Sequence, residues 1–137
     1  MGATVVNLRT GLATRLATIT GLRTHATIPD QVNPPCAIVG APEVDYDRTM
    51  GRGLDAYRTT IRLLVSRATD RGAQNALDAY LAPSGAGSIK TAVEGDQTLG
   101  GNFDVTRVTR AFGYGVYDVG GVLYLGCDFA VEAWGRP

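Results

Sequence analysis

The segment VLYLGCDFAVEAW, residues 122–134, carries the clearest secondary-structure pattern in this chain. Apolar side chains alternate along it with smaller or more polar ones, and a period of two is typical of a β-strand with one buried face. The face that we expect in the core carries Leu123, Leu125, Cys127, Phe129, Val131 and Ala133. Tyr124 and Trp134 fall on the opposite, more polar face, where aromatic side chains favour contact with another protein.

Turn signals define the strands that accompany this segment. Gly120-Gly121 predicts a tight hairpin that joins residues 122–134 to a strand ending at Val119. Residues 36–66 are predicted to form a second, protruding β-hairpin. The reason is that two runs of apolar alternation flank the polar, glycine-bearing segment 47–53.

Apolar residues at helical spacing predict three helices. The predicted apolar stripes contain Leu8, Leu12 and Leu16 in the first helix and Ala73, Ala76 and Leu77 in the second. Thr69 or Asp70 is expected to cap the second helix, and Ser88 to begin the third. This order of elements predicts one α+β domain over residues 1–137, with a mostly antiparallel sheet and helices packed on one face.

Composition and charge exclude several classes of protein. Hydrophobic residues make up 45% of the 137 residues, which is typical of a globular domain rather than a disordered chain. Thirteen basic and thirteen acidic side chains cancel, so no net field attracts the protein to nucleic acid or to an anionic membrane. The sequence shows neither a membrane-spanning run nor a signal-peptide pattern. We therefore expect it to be made in the cytoplasm and used there, or in a particle assembled there.

The sequence predicts no catalytic, cofactor or metal site, and we expect that the protein is not an enzyme. His25 is the single histidine, and its spacing from Cys36 does not define a nucleophile–base pair or a metal-ligand set. The glycines at 51–53 and 85–87 are not followed by the Lys-Ser or Lys-Thr of a phosphate-binding loop. Cys36 and Cys127 lie in apolar runs and are expected to be buried and reduced.

Charged residues cluster around the turn of the predicted 36–66 hairpin. They are Asp45, Asp47, Arg48, Arg52 and Asp55. Two interpretations stay open for them: a solvated loop surface, which is the usual fate of such a run, or a protruding contact surface for a neighbouring subunit. Together with Tyr124 and Trp134, they form the candidate subunit or partner interface.

Several phrases along the chain carry a resemblance to a known family. The C-terminal phrases are residues 119–126 and 129–132. Preceding them, in order, are residues 28–30, 33–35, 37–40, 44–47, 51–53, 57, 67–71, 73–74, 77–81, 88–90 and 99–101. In this order the chain resembles the tail terminator proteins of long-tailed, siphovirus-type actinobacteriophages. The likeness covers most of the chain.

This resemblance implies a structural virion protein. Its expected partners are further copies of the chain in a hexameric ring, the tail tube protein, and the head-completion or stopper protein of the neck. The ring would stop tube polymerisation at the head-proximal end of the tail and present a docking surface for head-to-tail joining. DNA would pass through its lumen without sequence-specific binding. The alternatives are a neck or stopper protein of similar size, or a small cytosolic α+β enzyme or ligand-binding domain.

Overall fold

A six-stranded sheet with helices on one face forms the described part of this chain. The computed structural model describes residues 3–19, 21–25, 35–46, 54–67, 71–85, 87–119 and 121–136. The elements in chain order are α1 (Val5–Leu16), β1 (Arg23–His25), β2 (Cys36–Val39), β3 (Glu43–Asp45), β4 (Asp55–Arg67), α2 (Ala73–Tyr80), α3 (Ile89–Glu94), β5 (Val105–Val119) and β6 (Val122–Gly135). The predicted α+β class is confirmed.

The strand order across the sheet is β1-β2-β4-β6-β5, and β3 pairs with β4 on the same side as β2. All pairs are antiparallel except β1 and β2, which run parallel. Cys36 pairs with Leu64 and Asp45 with Ala56, so the pairing predicted for residues 36–66 is present. These strands do not protrude from the domain, however, because β6 pairs with the other side of β4 along its whole length. The predicted tip, residues 47–53, lies outside the described residues.

The β5–β6 hairpin joins the two longest described strands. Val119 pairs with Val122, as a two-residue turn at Gly120-Gly121 requires. Gly121 has a φ of +85°, a left-handed conformation that favours glycine in such turns. The predicted hairpin is therefore confirmed by the pairing of its strands, and Gly120 itself lies outside the described residues.

Local side-chain bonds begin two of the helices. The Thr4 hydroxyl accepts a hydrogen bond from the amide of Asn7 at the start of α1, and the Ser88 hydroxyl accepts one from the amide of Thr91 in α3. α2 begins after Gly72, which has no side chain that could cap the helix. The residues expected to cap it, Thr69 and Asp70, lie outside the described residues.

The main core lies between the helices and one face of the sheet. The predicted α1 stripe of Leu8, Leu12 and Leu16 is fully buried against it. In α2 the core positions are Ala73 and Leu77, whereas Ala76 is exposed, contrary to the prediction. Tyr57 and Phe103 meet edge to face with ring centroids 5.3 Å apart, and the Tyr57 hydroxyl donates to the main-chain oxygen of Ala3 at 2.9 Å.

The core face of β6 follows the predicted alternation over most of its length. Cys127, Phe129, Val131 and Ala133 are buried in the main core, and Leu125 is partly buried against it. Leu123 is the exception, with 52% of its surface exposed. Leu123 pairs with Asp118 next to the turn of the β5–β6 hairpin and lies outside the main core cluster.

The two cysteines lie on opposite faces of the sheet. Cys127 belongs to the main core, whereas Cys36 belongs to a small cluster on the other face with Ile38 and Leu64. Both thiols are buried and neither is in a disulfide; their placement on opposite faces keeps them from bonding to each other. Burial raises the pKa of Cys127 to about 12, so this thiol stays protonated at neutral pH.

Candidate subunit interface

We call the face of the sheet turned away from the helices the open face. It carries charged and hydroxyl side chains outside the small apolar cluster around Cys36, Ile38 and Leu64. One row of cross-strand neighbours crosses it: Glu43 on β3, Arg58 on β4, Glu132 on β6 and Arg107 on β5. The charges in this row alternate in sign from one strand to the next. We call these four residues the charged row. Cross-strand neighbours of opposite charge stabilise a sheet, so the charged row stabilises the pairing of the four strands.

Arg58 of the charged row forms two ion pairs. The Arg58 guanidinium lies 3.1 Å from the Asp45 carboxylate and 3.8 Å from that of Glu132. Each of the three side chains keeps a third or more of its surface exposed, which limits the stability that these pairs contribute. The charged row is therefore available for contact with another molecule, because such a contact would cost the fold little stability.

A second charged group on the open face lies closer to the hairpin turn. Arg62 on β4 binds Asp128 on β6, and its guanidinium carbon lies 4.5 Å from the ring centroid of Tyr117 on β5. The hydrogen bond to Asp128 raises the pKa of Arg62, and burial, followed by the Asp128 charge, raises that of the Tyr117 phenol. This group links the three longest strands and is a structural element of the open face.

The outer edge of β5 is closed at one point by α3. The amide of Val108 donates to the Glu94 carboxylate at 3.1 Å, and its carbonyl accepts from the Lys90 ammonium at 3.3 Å. Lys90 and Glu94 are themselves ion-paired. We call this contact of Lys90 and Glu94 with the main chain of Val108 the clasp. It occupies main-chain groups that would otherwise pair with a strand of another molecule.

Beyond the clasp, the β5 edge is exposed. A bulge at Thr109 interrupts the pairing between Val108 and Arg110, and a second irregularity lies between Phe112 and Gly115. No described strand pairs with the outer side of β5. Val116 is 55% exposed near the turn. A long edge with exposed apolar side chains is suited to pairing with another chain.

Two grooves flank β5 at its first bulge, one on each face. The groove on the open face has a volume of about 300 Å³ and is lined by charged and hydroxyl side chains, among them Glu43, Arg58, Thr60 and Arg110. The groove on the helix face has a volume of about 200 Å³, with Tyr80, Leu81, Pro83 and Phe129 in its lining. Lys90 and Arg110 also line the groove on the helix face, so a chain lying along β5 at this point would meet charged side chains on both faces.

The structure separates the residues that the sequence suggested for an interface. Asp45 and Trp134 lie on the open face, Asp45 bound to Arg58 and Trp134 half-buried. Asp55 is buried, so it does not form an exposed contact. Tyr124 is half-buried against Cys36, Ile38 and Leu64, which gives it a packing role. Asp47, Arg48 and Arg52 lie outside the described residues, and their role stays a prediction.

Sequence reasoning missed Glu43, Arg107 and Arg110 as members of this surface. The bulge at Thr109 adds one residue to β5, which breaks the alternation by which a strand face is recognised. It also places Arg107 and Arg110, three apart in sequence, opposite Glu132 and Ala130, which are two apart. The irregular pattern of residues 105–112 was the signal of this bulge.

No other chemistry stands out in the described part of the chain. Its His, Cys, Asp and Glu side chains form no group of three or more that could hold a metal ion. None of its helices combines the length and apolarity needed to cross a membrane. No protein-family model matches the chain, and no curated protein matches it.

Proposed function

We propose that this chain is a tail terminator subunit of a long-tailed phage. Six copies form a ring on the head-proximal end of the tail tube, stop its polymerisation and provide the docking surface for head-to-tail joining. The observation that carries the proposal is the ordered resemblance along the sequence. Its phrases fall on β2, β3, β4, α2, α3 and β6 in chain order, so they are spread over several elements rather than confined to one motif.

The sheet supports this proposal because its two sides differ. One side ends in β5, and the other ends in the short strands β1 and β3. Contact between unlike edges of identical subunits is heterologous, and such a contact generates a ring when its rotation closes. Ring closure also covers strand edges that would otherwise invite aggregation.

A closed ring performs its task by geometry rather than by a reaction. One face caps the tube and excludes the next tube subunit, and the opposite face receives the neck. DNA must move through the lumen, and a strongly basic lining would hold its phosphates. The zero net charge of the chain suits a lumen that is neutral or acidic.

Two experiments test this function. Negative-stain imaging of the purified protein, alone and with tail tube protein, should show rings and rings on tube ends. A nonsense mutation in the gene should yield filled heads and unjoined tails longer than normal. Normal-length, unjoined tails would instead assign the protein to the stopper step, and normal-length tails joined to heads would exclude both roles.

A further inference from the structure

The charged row on the open face ends in opposite charges at the two edges of the sheet. Glu43 terminates it on β3, and Arg107 terminates it on β5. Both side chains belong to exposed residues, and neither forms an ion pair with another described residue. A second subunit placed beside the first, with its helices on the same side, would therefore bring an acidic strand edge next to a basic one.

The spacing of charges on the two edges also matches. Glu43 and Asp45 are two residues apart on one face of β3. The bulge at Thr109 places Arg107 and Arg110 at the same spacing along β5, because they face residues two apart on β6. Arg110 stacks on Phe112, with its guanidinium carbon 4.5 Å from the ring centroid, and has no acidic partner among the described residues.

Strand direction allows these edges to meet. β3, β4, β6 and β5 alternate in direction, so β3 and β5 run antiparallel within one subunit. A neighbouring subunit in the same orientation therefore presents its β3 antiparallel to β5. The other strand on that side, β1, carries Arg23 and His25 and offers no carboxylate to a basic edge.

We infer that the partner of the β5 edge is the β3 edge of a second copy of this chain, with Glu43 opposite Arg110 and Asp45 opposite Arg107. The inference rests on the proposed ring and names the contact that closes it. The Lys90–Glu94 clasp occupies the main-chain groups of Val108, so the contact there is made by side chains on the open face. Glu43 and Arg110 also line the same groove within one subunit, which places both at an accessible surface.

A charge-reversal experiment tests this contact. Glu43→Arg and Arg110→Glu are made singly and together, and Arg71→Glu, at an exposed position before α2, provides the same charge change away from the edges. Sedimentation velocity gives the concentration at which half of each protein is assembled. Each single reversal should raise that concentration by about tenfold or more, the change that about 1.4 kcal/mol produces. Arg71→Glu should assemble like the unmodified protein.

Restored assembly of the double variant is the decisive result. The double variant Glu43→Arg/Arg110→Glu should assemble within about threefold of the unmodified concentration, since opposite charges meet again at every contact. An equimolar mixture of the two single variants should also assemble, because the variants alternate around a ring with an even number of subunits. Circular dichroism of each variant checks that the reversals leave the fold intact.

Other outcomes overturn the inference and separate it from the proposed function. Rings that form equally well in both single variants, or a double variant weaker than either, would exclude this contact and leave the terminator role standing. Unmodified protein that stays monomeric, alone and with tail tube protein, would also exclude it. Restored assembly together with normal tail length in the nonsense mutant would retain the contact and reject the terminator role.

Discussion

Arg62 and Asp128 face each other across β4 and β6 and form a two-pronged ion pair on the open face. Nε of Arg62 donates to Oδ1 of Asp128 at 2.9 Å, and a terminal nitrogen donates to Oδ2 at 3.2 Å. This fork geometry orients both groups and is stronger than a single charged hydrogen bond. The Asp128 side chain is only 11% exposed, whereas the Arg62 side chain is much more accessible to water. The carboxylate therefore relies on the ion pair to stabilise its charge more than the guanidinium does.

Replacing Arg62 with methionine should therefore destabilise the fold. The substitution leaves a largely buried carboxylate without its partner, and we expect a loss of about 1–3 kcal/mol in the free energy of unfolding. Arg58→Met, on the same face of the same strand, is the matched control. Its partners are exposed, so we expect a loss below about 1 kcal/mol. Urea denaturation at pH 7 measures both, and equal losses would contradict the difference in burial.

The position of a residue along β6 should determine how much stability is lost when that residue is replaced by alanine. Phe129 is 3% exposed in the main core, and Phe129→Ala should cost about 3–5 kcal/mol. Leu123 lies on the same alternating face of the same strand but is 52% exposed, so Leu123→Ala should change stability by less than about 1 kcal/mol. Thermal melting of the two variants separates these values. A similar drop in both melting temperatures would show that the hairpin end is buried.

Gly126 and its cross-strand partner Gly115 should differ in their tolerance of alanine. A Cβ on Gly126 would overlap the main-chain oxygen of Leu63, which cannot move without disturbing the pairing of β4 and β6. We expect Gly126→Ala to cost about 1–3 kcal/mol, as overpacking does. A Cβ on Gly115 meets no atom closer than 4.0 Å, so Gly115→Ala should be tolerated. Chemical denaturation of both variants gives the comparison, and equal stabilities would refute the close approach.

The raised pKa of Cys127 should appear in both reactivity and stability. At pH 8 the folded protein should react with a thiol reagent far more slowly than the unfolded chain, which should show two free thiols, because only the thiolate reacts. The unfolded thiol loses its proton near pH 9 and the folded one near pH 12. Stability from this group is therefore complete below pH 9 and declines as pH rises from there toward 12. Rapid native labelling of Cys127 at pH 8 would contradict its burial.

The clasp on the β5 edge should control hydrogen exchange at one amide. Glu94→Ala removes the acceptor of the Val108 amide, so exchange of this proton should become faster than in the unmodified protein. The Val131 amide, in the interior strand β6, serves as the internal control and should be unchanged. Exchange followed by NMR reports both protons. An unchanged rate at Val108 would show that other contacts close this edge.

The sequence predicted those elements whose signals are local. Leu8, Leu12 and Leu16 repeat at helical spacing, and Ser88 offers its hydroxyl to the first free amides of α3. The Gly120-Gly121 turn and the alternation from Leu125 to Ala133 have the same character. In each case neighbouring residues specify the backbone, so the pattern is visible without knowledge of the rest of the chain.

Elements that depend on distant contacts were not predictable in this way. The bulge at Thr109 obscures which β5 side chains share a face, and only the pairing with β6 shows that Arg107 and Arg110 do. The burial of Asp55 and the packing of Tyr124 likewise depend on strands remote in sequence. The parallel pairing of β1 with β2 has no local signal either.

Hydrophobic periodicity and turn residues act over a few neighbouring positions, so the α+β class, the β5–β6 hairpin and the core face of β6 from Leu125 to Ala133 can be predicted from the sequence. The alignment of charges across the open face follows from the tertiary structure. Glu43 and Arg107, at the two ends of the charged row, are brought into one line by the register of four strands. That register is set by the packing of the whole sheet against the helices.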